Sequence, residues 1–240
     1  MLPEIDPILP KLVRDVPRGR DWLYEVKLDG FRGTLYVEAG RGRFLSKTKK
    51  TMRRFDDLAN AIAKELRVQD AILDGEIVVI GEGGPKFYAL MMNRQPASYV
   101  AFDVLWLDGR DLRARPLWRR KRALEKLVSG TRVGYVEHSD DPHLMDAVVR
   151  MDLEGIVAKR RADPARRKRS GRSSSMRSIR RRKGGRTCFI VGGREREEVK
   201  GGGVPVILGD ELPHVRGWER GATVAAGAGE RQRVASVQRA

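Results

Sequence analysis

A lysine flanked by acids marks the stretch EVKLDGFRG, which runs from Glu25 to Gly33. Residues 22–30 alternate in type, so the pattern predicts a strand on which Glu25, Lys27 and Asp29 share one face. A lysine acts as a nucleophile when burial or nearby cations lower its pKa and a rigid element fixes its position. The same pattern also fits a solvated ion-pair face on an edge hairpin, and this stretch alone does not separate the two.

Two further acids interrupt apolar segments. Glu76 lies in the predicted strand AILDGEIVVI, and Glu154 precedes the short apolar strand GIVAK. A carboxylate in an apolar strand is costly unless it is paired or binds a metal, and two separated carboxylates suit Mg²⁺ at a polyphosphate. A salt bridge to a basic neighbour is the alternative. Phe102, next to Asp103 in AFDVLWLDG, fits either a base-stacking surface or the core.

The composition favours a polyanionic partner. Lysine and arginine outnumber the acids by 49 to 32, which gives a net charge of +17 over 240 residues. Residues 160–186 hold thirteen basic residues and one acid, so most of the excess lies in one segment. Nucleic acid is the usual partner of such a segment. A single cysteine, Cys188, excludes an internal disulfide, and no apolar run reaches the roughly 18 residues that a membrane span needs.

Strands and helices alternate without a regular βαβ order, which favours an α+β fold with antiparallel sheets. Residues 33–39 are predicted to pair with residues 22–30 across a short turn. Helical spacing of apolar residues predicts helices over about 52–67, over 117–128 and near 143–151. The remaining predicted strands are 71–80, 99–107, 155–159 and 187–193.

Four segments, taken in order, resemble one family. KLDGFR, LDGEIV, AFDVLWLDG and EGIVAKR are similar to the successive motifs of the covalent nucleotidyltransferases. Within that superfamily the chain resembles the ATP-dependent DNA ligases, and among them the bacterial ligase module of the end-joining type, over residues 1–193. The resemblance implies an antiparallel-sheet, ATP-grasp-like nucleotidyltransferase domain over residues 1–185, followed by part of an OB-fold over residues 186–240.

The resemblance also implies a reaction and a set of site residues. Lys27 would attack the α-phosphate of ATP, release pyrophosphate and carry AMP as a phosphoramidate; the AMP would pass to a DNA 5′-phosphate, and a 3′-hydroxyl would displace it. Arg32 and Lys159 are expected to disfavour the protonated form of Lys27. The other implied roles are nucleotide binding by Glu25, Arg32, Phe102, Lys159 and Arg180, metal binding by Glu76 and Glu154, and DNA binding by Lys47, Arg172 and Arg177.

The cofactors implied by the resemblance are ATP and Mg²⁺ or Mn²⁺. The implied substrate is nicked or broken DNA in repair and recombination, and the implied partners are a DNA-end-binding protein and a separate repair polymerase. We expect a monomer that acts in the bacterial cytoplasm, in association with the nucleoid and without a membrane.

The chain departs from the family pattern in two places. The family's motif of tryptophan, any residue, lysine, aliphatic residue and lysine corresponds to Met176–Arg180, where Ser178 replaces the first lysine and Arg180 the second. Loss of one phosphate contact is expected to slow nucleotidyl transfer by on the order of 10²–10³. From about residue 194 the composition changes, and we expect a truncated or diverged OB domain that is largely irregular, as a reading-frame change near Arg194 would produce.

Two alternatives to an active DNA ligase follow from these observations. The lysine motif is shared with RNA ligases and GTP-using capping enzymes, so it does not discriminate among them. Ser178 and the unusual tail also fit a catalytically impaired pseudo-ligase that binds DNA or nucleotide.

Overall fold

The structure is a computed structural model, and it describes residues 2–81, 84–85, 90–92, 96–151, 153–165, 176–180 and 215–216. For residues 80–81, 84–85, 176–180 and 215–216 the description is of the backbone alone. The predicted strand at 187–193 lies outside the described residues, as does all of the predicted OB-fold segment apart from 215–216. The division at residue 185 therefore stays a prediction.

The larger of the two main sheets has seven strands, one of which carries Glu76. The strands are β3 (Phe31–Glu38), β4 (Arg41–Leu45), β5 (Asp70–Val78), β8 (Ser98–Leu107), β9 (Arg110–Asp111), β10 (Gly134–Val136) and β13 (Val215–Arg216). Their order in the sheet is β13-β10-β8-β5-β3-β4, and β9 pairs with the C-terminal end of β8. All pairings are antiparallel except that of β10 with β8.

The smaller sheet has four strands in the order β1-β12-β11-β2, and it carries the lysine strand. These are β1 (Lys11–Leu12), β2 (Trp22–Val26), β11 (Gly155–Arg160) and β12 (Met176–Arg180). The predicted pairing of residues 22–30 with 33–39 is wrong, because β2 pairs with β11 whereas β3 pairs with β4 and β5. The chain crosses from one sheet to the other at residues 27–30. The lysine therefore lies where the two sheets meet.

Three helices whose two ends lie in the described residues cover these sheets: α1 (Asp56–Glu65), α2 (Leu117–Val128) and α3 (Leu144–Arg150). They confirm the three predicted helices, with α1 shorter than expected because a 3₁₀ turn, Arg53–Phe55, precedes it. Helices α1 and α2 pack on the larger sheet around a core that includes Leu73 and Tyr99. Helix α3 packs on the smaller sheet. A short hairpin, β6 (Ile80–Gly81) with β7 (Gly84–Pro85), follows β5. The predicted α+β architecture with mainly antiparallel sheets is confirmed.

The N-terminal segment bridges the two sheets. Leu2 and Ile5 are buried against the larger sheet, and the backbone N–H of Ile5 donates a hydrogen bond to the Tyr36 hydroxyl at 3.1 Å. The segment then passes the sheet junction before it joins the smaller sheet as β1. Among the described residues, no helix has the length and apolar character that crossing a membrane requires.

Candidate active site

A cleft of about 480 Å³ opens at the junction of the two sheets. Its walls come from the β2–β3 crossover, from β5, β8 and β11, and from the N-terminal segment at Leu9 and Pro10. A cleft of this size is suited to a small-molecule ligand. Of the eleven predicted site residues, eight line it: Glu25, Lys27, Arg32, Lys47, Glu76, Phe102, Glu154 and Lys159.

The Lys27 ammonium is held by a carboxylate that is distant in the sequence. Its Nζ donates to Glu154 Oε2 at 2.5 Å, and its backbone N–H donates to the Gly155 carbonyl at 2.8 Å. The Lys27 side chain is 19% exposed, so it is anchored at the base yet open to a ligand from the cleft. This combination of a fixed position and access is what a nucleophilic lysine requires.

Gly30 allows the chain to cross between the sheets. A Cβ at this position would lie 2.2 Å from the Ile77 carbonyl oxygen and 2.9 Å from Val78 Cγ1. Only glycine accommodates such an approach of one backbone to another. The Asp-Gly pair after the lysine therefore serves close contact with β5 rather than a tight hairpin turn.

At the floor of the cleft, the Glu25 carboxylate lies close to two lysines. Its Oε2 lies 2.6 Å from Lys159 Nζ and its Oε1 lies 3.0 Å from Lys121 Nζ. Burial raises the pKa of the Glu25 carboxyl, but the two lysines outweigh burial and hold the pKa below its ordinary value. Burial lowers the pKa of Lys121, and Glu25 opposes this change only in part. The carboxyl of Glu25 is therefore an ionised acceptor at the floor of the cleft.

Two cations cover the ring of Phe102. Lys159 Nζ lies 4.4 Å and the Arg32 guanidinium 4.5 Å from the ring centroid, both within cation–π range. Arg32 is also bound through two hydrogen bonds to Asp74, at 2.6 and 2.5 Å. Phe102 is thus a cleft-lining aromatic that already interacts with charged groups. A base that stacks on the face covered by a cation takes the place of that cation.

The cations of the cleft have carboxylate partners. Asp74 pairs with Arg32 and Glu25 pairs with Lys159; the effect of these two cations on Lys27 stays a prediction. Lys27 itself is paired with Glu154. The cleft therefore holds a set of matched ion pairs rather than an uncompensated positive cluster.

Glu76 is the exception among the acids of the cleft. It makes no hydrogen bond or ion pair with the residues that the structure describes, and its pKa is raised to about 7. The principal cause is burial, which disfavours the charged form; Arg32 and Lys27 act in the opposite direction, and Asp74 and Glu154 add to the increase. Within the described part of the chain, Glu76 therefore has no salt-bridge partner, although Arg32 and Lys27 are near enough to act on its charge.

The remaining three predicted residues lie in or near β12. Arg172 lies outside the described residues, and for Arg177 and Arg180 only the backbone is described. In the antiparallel pairing of β11 with β12, Ser178 is opposite Val157, which lines the cleft, whereas Arg177 is opposite Ala158. Because strand residues alternate between faces, positions 178 and 180 fall on the cleft face of the sheet and position 177 on the other. The DNA-binding and nucleotide-binding roles of these residues stay predictions.

Sequence reasoning missed two buried cations on α2. Arg120 makes two hydrogen bonds of 2.9 Å to Asp103 and further bonds to the carbonyls of Arg115 and Asp163, and Lys121 reaches Glu25. The signal was present, because both residues occupy the apolar stripe that Leu117, Leu124 and Val128 define. A charged residue on the buried stripe of a helix needs a buried partner.

Comparison with known proteins identifies the family. The model of the ATP-dependent DNA ligase domain matches residues 2–176. The multifunctional non-homologous end joining protein LigD of Pseudomonas aeruginosa is 36% identical over 182 residues, which is 70% of this chain and 21% of that protein. DNA ligase C of Mycobacterium tuberculosis is 33% identical over 145 residues, 55% of this chain and 40% of that protein. The chain thus spans between a fifth and two fifths of the length of these relatives.

Solved structures agree with the sequence comparison. The crystal structure of the ligase domain of M. tuberculosis LigD superposes with a TM-score of 0.64 at 26% identity, over 74% of this chain and 61% of that one. A mycobacterial DNA ligase D in complex with ATP and MES gives a TM-score of 0.62, also at 26% identity, over 73% of this chain and 60% of that one. Since the family model covers well over half of the residues, and every residue that lines the cleft lies within the matched range, the chain belongs to the ATP-dependent DNA ligase family.

Proposed function

We propose that the protein is an ATP-dependent DNA ligase that joins DNA breaks through a lysyl-AMP intermediate in end-joining repair. The observation that carries this proposal is the position of Lys27. Its Nζ lies 2.5 Å from Glu154, in a cleft that also presents an ionised carboxylate and an aromatic ring. The relatives named LigD are described as non-homologous end joining proteins, which supports the biological setting.

The first step is an attack by Lys27 Nζ on the α-phosphate of ATP. A nitrogen–phosphorus bond forms, the bond to the β-phosphate oxygen breaks, and pyrophosphate leaves with the electron pair. Glu154 Oε2 is in position to take the proton that the nitrogen loses, because the two atoms are already hydrogen-bonded. Arg32 and Lys159 supply positive charge near the developing phosphate charge once the ligand displaces their carboxylates.

Glu25 and Phe102 supply base recognition in this scheme. The Glu25 carboxylate can only accept hydrogen bonds while it is ionised, so when it faces the 6-position of the purine it matches the exocyclic amine of adenine and opposes the carbonyl of guanine. The ring of Phe102 offers a stacking surface. In the two later steps AMP passes to a DNA 5′-phosphate and a 3′-hydroxyl displaces it, with Lys47 and the arginines of the 160–186 segment proposed to contact DNA phosphates.

Two carboxylates of the cleft are suitable ligands for Mg²⁺. No group of three or more potential ligands occurs within the described part of the chain, but Mg²⁺ at a nucleotide is usually held by one or two carboxylates together with phosphates. Glu76, which makes no salt bridge with the described residues, and Glu154 are the carboxylates that would hold it. The ion would neutralise charge on the polyphosphate. Mn²⁺ has the same ligand preference and is the proposed substitute.

Labelling with ATP tests the proposal. Incubation with α-labelled ATP and Mg²⁺, followed by denaturation, should leave label on the wild-type chain. Lys27→Arg keeps the positive charge but should abolish the label, whereas Lys64→Arg, on the exposed side of α1, should retain it. Absence of label from the wild-type chain between pH 6 and 9 would refute the ligase function, and label on Lys27→Arg would refute the choice of nucleophile.

An impaired pseudo-ligase is the second candidate, and Ser178 favours it. Ser178 occupies the cleft-facing register position opposite Val157, where the family has a phosphate-binding lysine. A pseudo-ligase would bind ATP or DNA without sealing nicks. Nick sealing is therefore assayed separately from adenylation, with ATP and GTP compared in both assays to test the capping-type alternative.

The wider setting is also proposed. A DNA-end-binding protein and a separate repair polymerase are the proposed partners, and the bacterial cytoplasm, in association with the nucleoid, is the proposed location. The net charge of +17 supports association with DNA. A monomer is the proposed state, which sedimentation in the presence and absence of nicked DNA would check.

A further inference from the structure

Lys121 is a buried lysine that the proposed reaction does not use. It lies on α2, is 1% exposed and does not line the cleft. Transfer of an ammonium group from water to such a position costs several kcal/mol. One lysine, Lys159, would already neutralise Glu25, so the presence of a second buried cation next to the same carboxylate calls for an explanation.

The contacts of Lys121 hold its ammonium in one place. Nζ donates to the Val136 carbonyl at 2.5 Å, lies 4.4 Å from the centroid of the Tyr135 ring, and lies 3.0 Å from Glu25 Oε1. Val136 and Tyr135 both belong to β10, so two elements fix the position of the ammonium. A movement toward the cleft would break the bond to β10.

Lys159 is in a different situation. Its Nζ lies 2.6 Å from Glu25 Oε2 and also 4.4 Å from the centroid of the Phe102 ring, and the residue lines the cleft. A base that stacks on the face of Phe102 covered by Lys159 must displace that ammonium. The nucleotide phosphates provide an alternative partner for it. Of the two counter-ions of Glu25, one is therefore exchangeable and the other is fixed.

We propose that Lys121 is a positioning residue: it is the permanent counter-ion that keeps Glu25 ionised and oriented toward the base when the nucleotide displaces Lys159, and it thereby sets the preference for adenine over guanine. This inference rests on the proposed function, since it concerns the same nucleotide site. It assigns to α2 a role in base specificity although no side chain of α2 lines the cleft.

The electrostatics of Glu25 agree with this role. Burial raises its pKa, and Lys121 is the largest of the effects that lower it, ahead of Lys159. The charged groups that face this cluster are Lys121 from α2, Lys159 from β11, Asp103 from β8 and His138 after β10. If Lys121 were absent and the nucleotide had displaced Lys159, the buried Glu25 carboxyl would have neither lysine beside it. Burial would then dominate, and the carboxyl would take up a proton. A protonated carboxyl donates a hydrogen bond, which suits the guanine carbonyl.

A double-mutant cycle tests the proposal, with covalent labelling by α-labelled ATP and GTP as the measurement. In Lys121→Met the KM for ATP should rise by on the order of tenfold, which is the effect of losing one hydrogen bond to a charged group, while kcat at saturating ATP changes less. The preference for ATP over GTP should fall by a similar factor, and further at pH 6 than at pH 8. Lys126→Met, an exposed lysine of the same helix, is the matched control and should behave as wild type.

In the background of Glu25→Gln, adding Lys121→Met should change the ATP preference by less than about twofold. This double variant removes both charges, so it also serves if Lys121→Met alone does not fold because a buried carboxylate has lost one of its two cations. Equal loss of kcat/KM for ATP and GTP in Lys121→Met, or an unchanged effect of Lys121→Met in the Glu25→Gln background, would overturn the positioning role and leave the ligase function standing. A wild-type chain that takes no label from ATP would overturn the ligase function and this inference with it.

Discussion

Replacement of Glu76 by glutamine should stabilise the ligand-free protein and inactivate it. The Glu76 carboxyl has a pKa of about 7 in the folded chain against an ordinary value of 4.5. The folded state therefore binds its proton more tightly than the unfolded state does. Below pH 4.5 both states are protonated and the carboxyl has no cost. Between pH 4.5 and 7 only the unfolded state loses the proton, so stability falls as the pH rises, and above pH 7 the full cost applies.

The difference in pKa sets the size of the effect. At about 1.4 kcal/mol for each pKa unit, the difference of about 2.5 units between 4.5 and about 7 means that ionised Glu76 destabilises the folded chain by about 3.5 kcal/mol well above pH 7. Glutamine has nearly the same shape and no charge, so Glu76→Gln should gain that amount at pH 8 and almost nothing at pH 4.5. Addition of Mg²⁺ should raise the stability of the wild type at pH 8 and leave the variant unchanged, because the variant lacks the carboxylate ligand.

Urea unfolding from pH 4.5 to 8.5, in EDTA and then in Mg²⁺, measures both effects. Asp57→Asn makes the same chemical change on the exposed side of α1, and its difference from wild type should not vary over the upper part of this range. A difference between Glu76→Gln and wild type that stays constant from pH 5 to 8.5 would refute the reasoning about burial. Adenylation that survives in Glu76→Gln at full rate would refute the proposed metal role.

Three further predictions concern other parts of the site. Gly30→Ala should lower the free energy of unfolding by about 1–3 kcal/mol, since its Cβ meets the Ile77 carbonyl at 2.2 Å; urea unfolding measures this. Arg120→Ala should cost about 3–5 kcal/mol because it leaves the Asp103 carboxylate buried and unpaired, and Arg120→Ala combined with Asp103→Ala should recover part of the loss in the same assay. Ser178→Lys should speed self-adenylation by on the order of 10²-fold; no increase in single-turnover labelling would count against the impaired-motif interpretation.

The sequence predicted the helices and most strands because their periodicity is local, but it did not predict which strands meet. Asp29-Gly30 has the composition of a hairpin turn, and the residues on either side alternate as paired strands do. The structure places these two strands in different sheets. The arrangement depends on β11, which pairs with β2, and on the residue just before it, Glu154, which pairs with Lys27 from 127 residues away along the chain. No local pattern carries that information.

The grouping of the site residues was easier to predict than the strand pairing, since motif order can indicate which residues lie together even when topology is unknown; their roles stay proposals. Eight of the proposed residues line one cleft. The ion-pair partners of the acidic residues were harder to predict than the residues that line the cleft. Lys121 and Arg120 were not predicted because they belong to a helix that carries no motif. Their role follows from the structure, in which the buried face of α2 contacts Glu25 and Asp103.

The charge pairs of the cleft share one role, which is to neutralise its cations before the nucleotide binds. A site that binds a highly anionic nucleotide needs cations, but unpaired buried cations would destabilise the chain before the ligand arrives. Here a carboxylate accompanies each of three cleft cations: Glu154 accompanies Lys27, Asp74 accompanies Arg32, and Glu25 accompanies Lys159. Phosphate groups can replace these carboxylates as partners of the cations. Of the carboxylates that are released, Glu25 keeps Lys121 as a cation, and a bound metal ion would neutralise Glu154 together with Glu76.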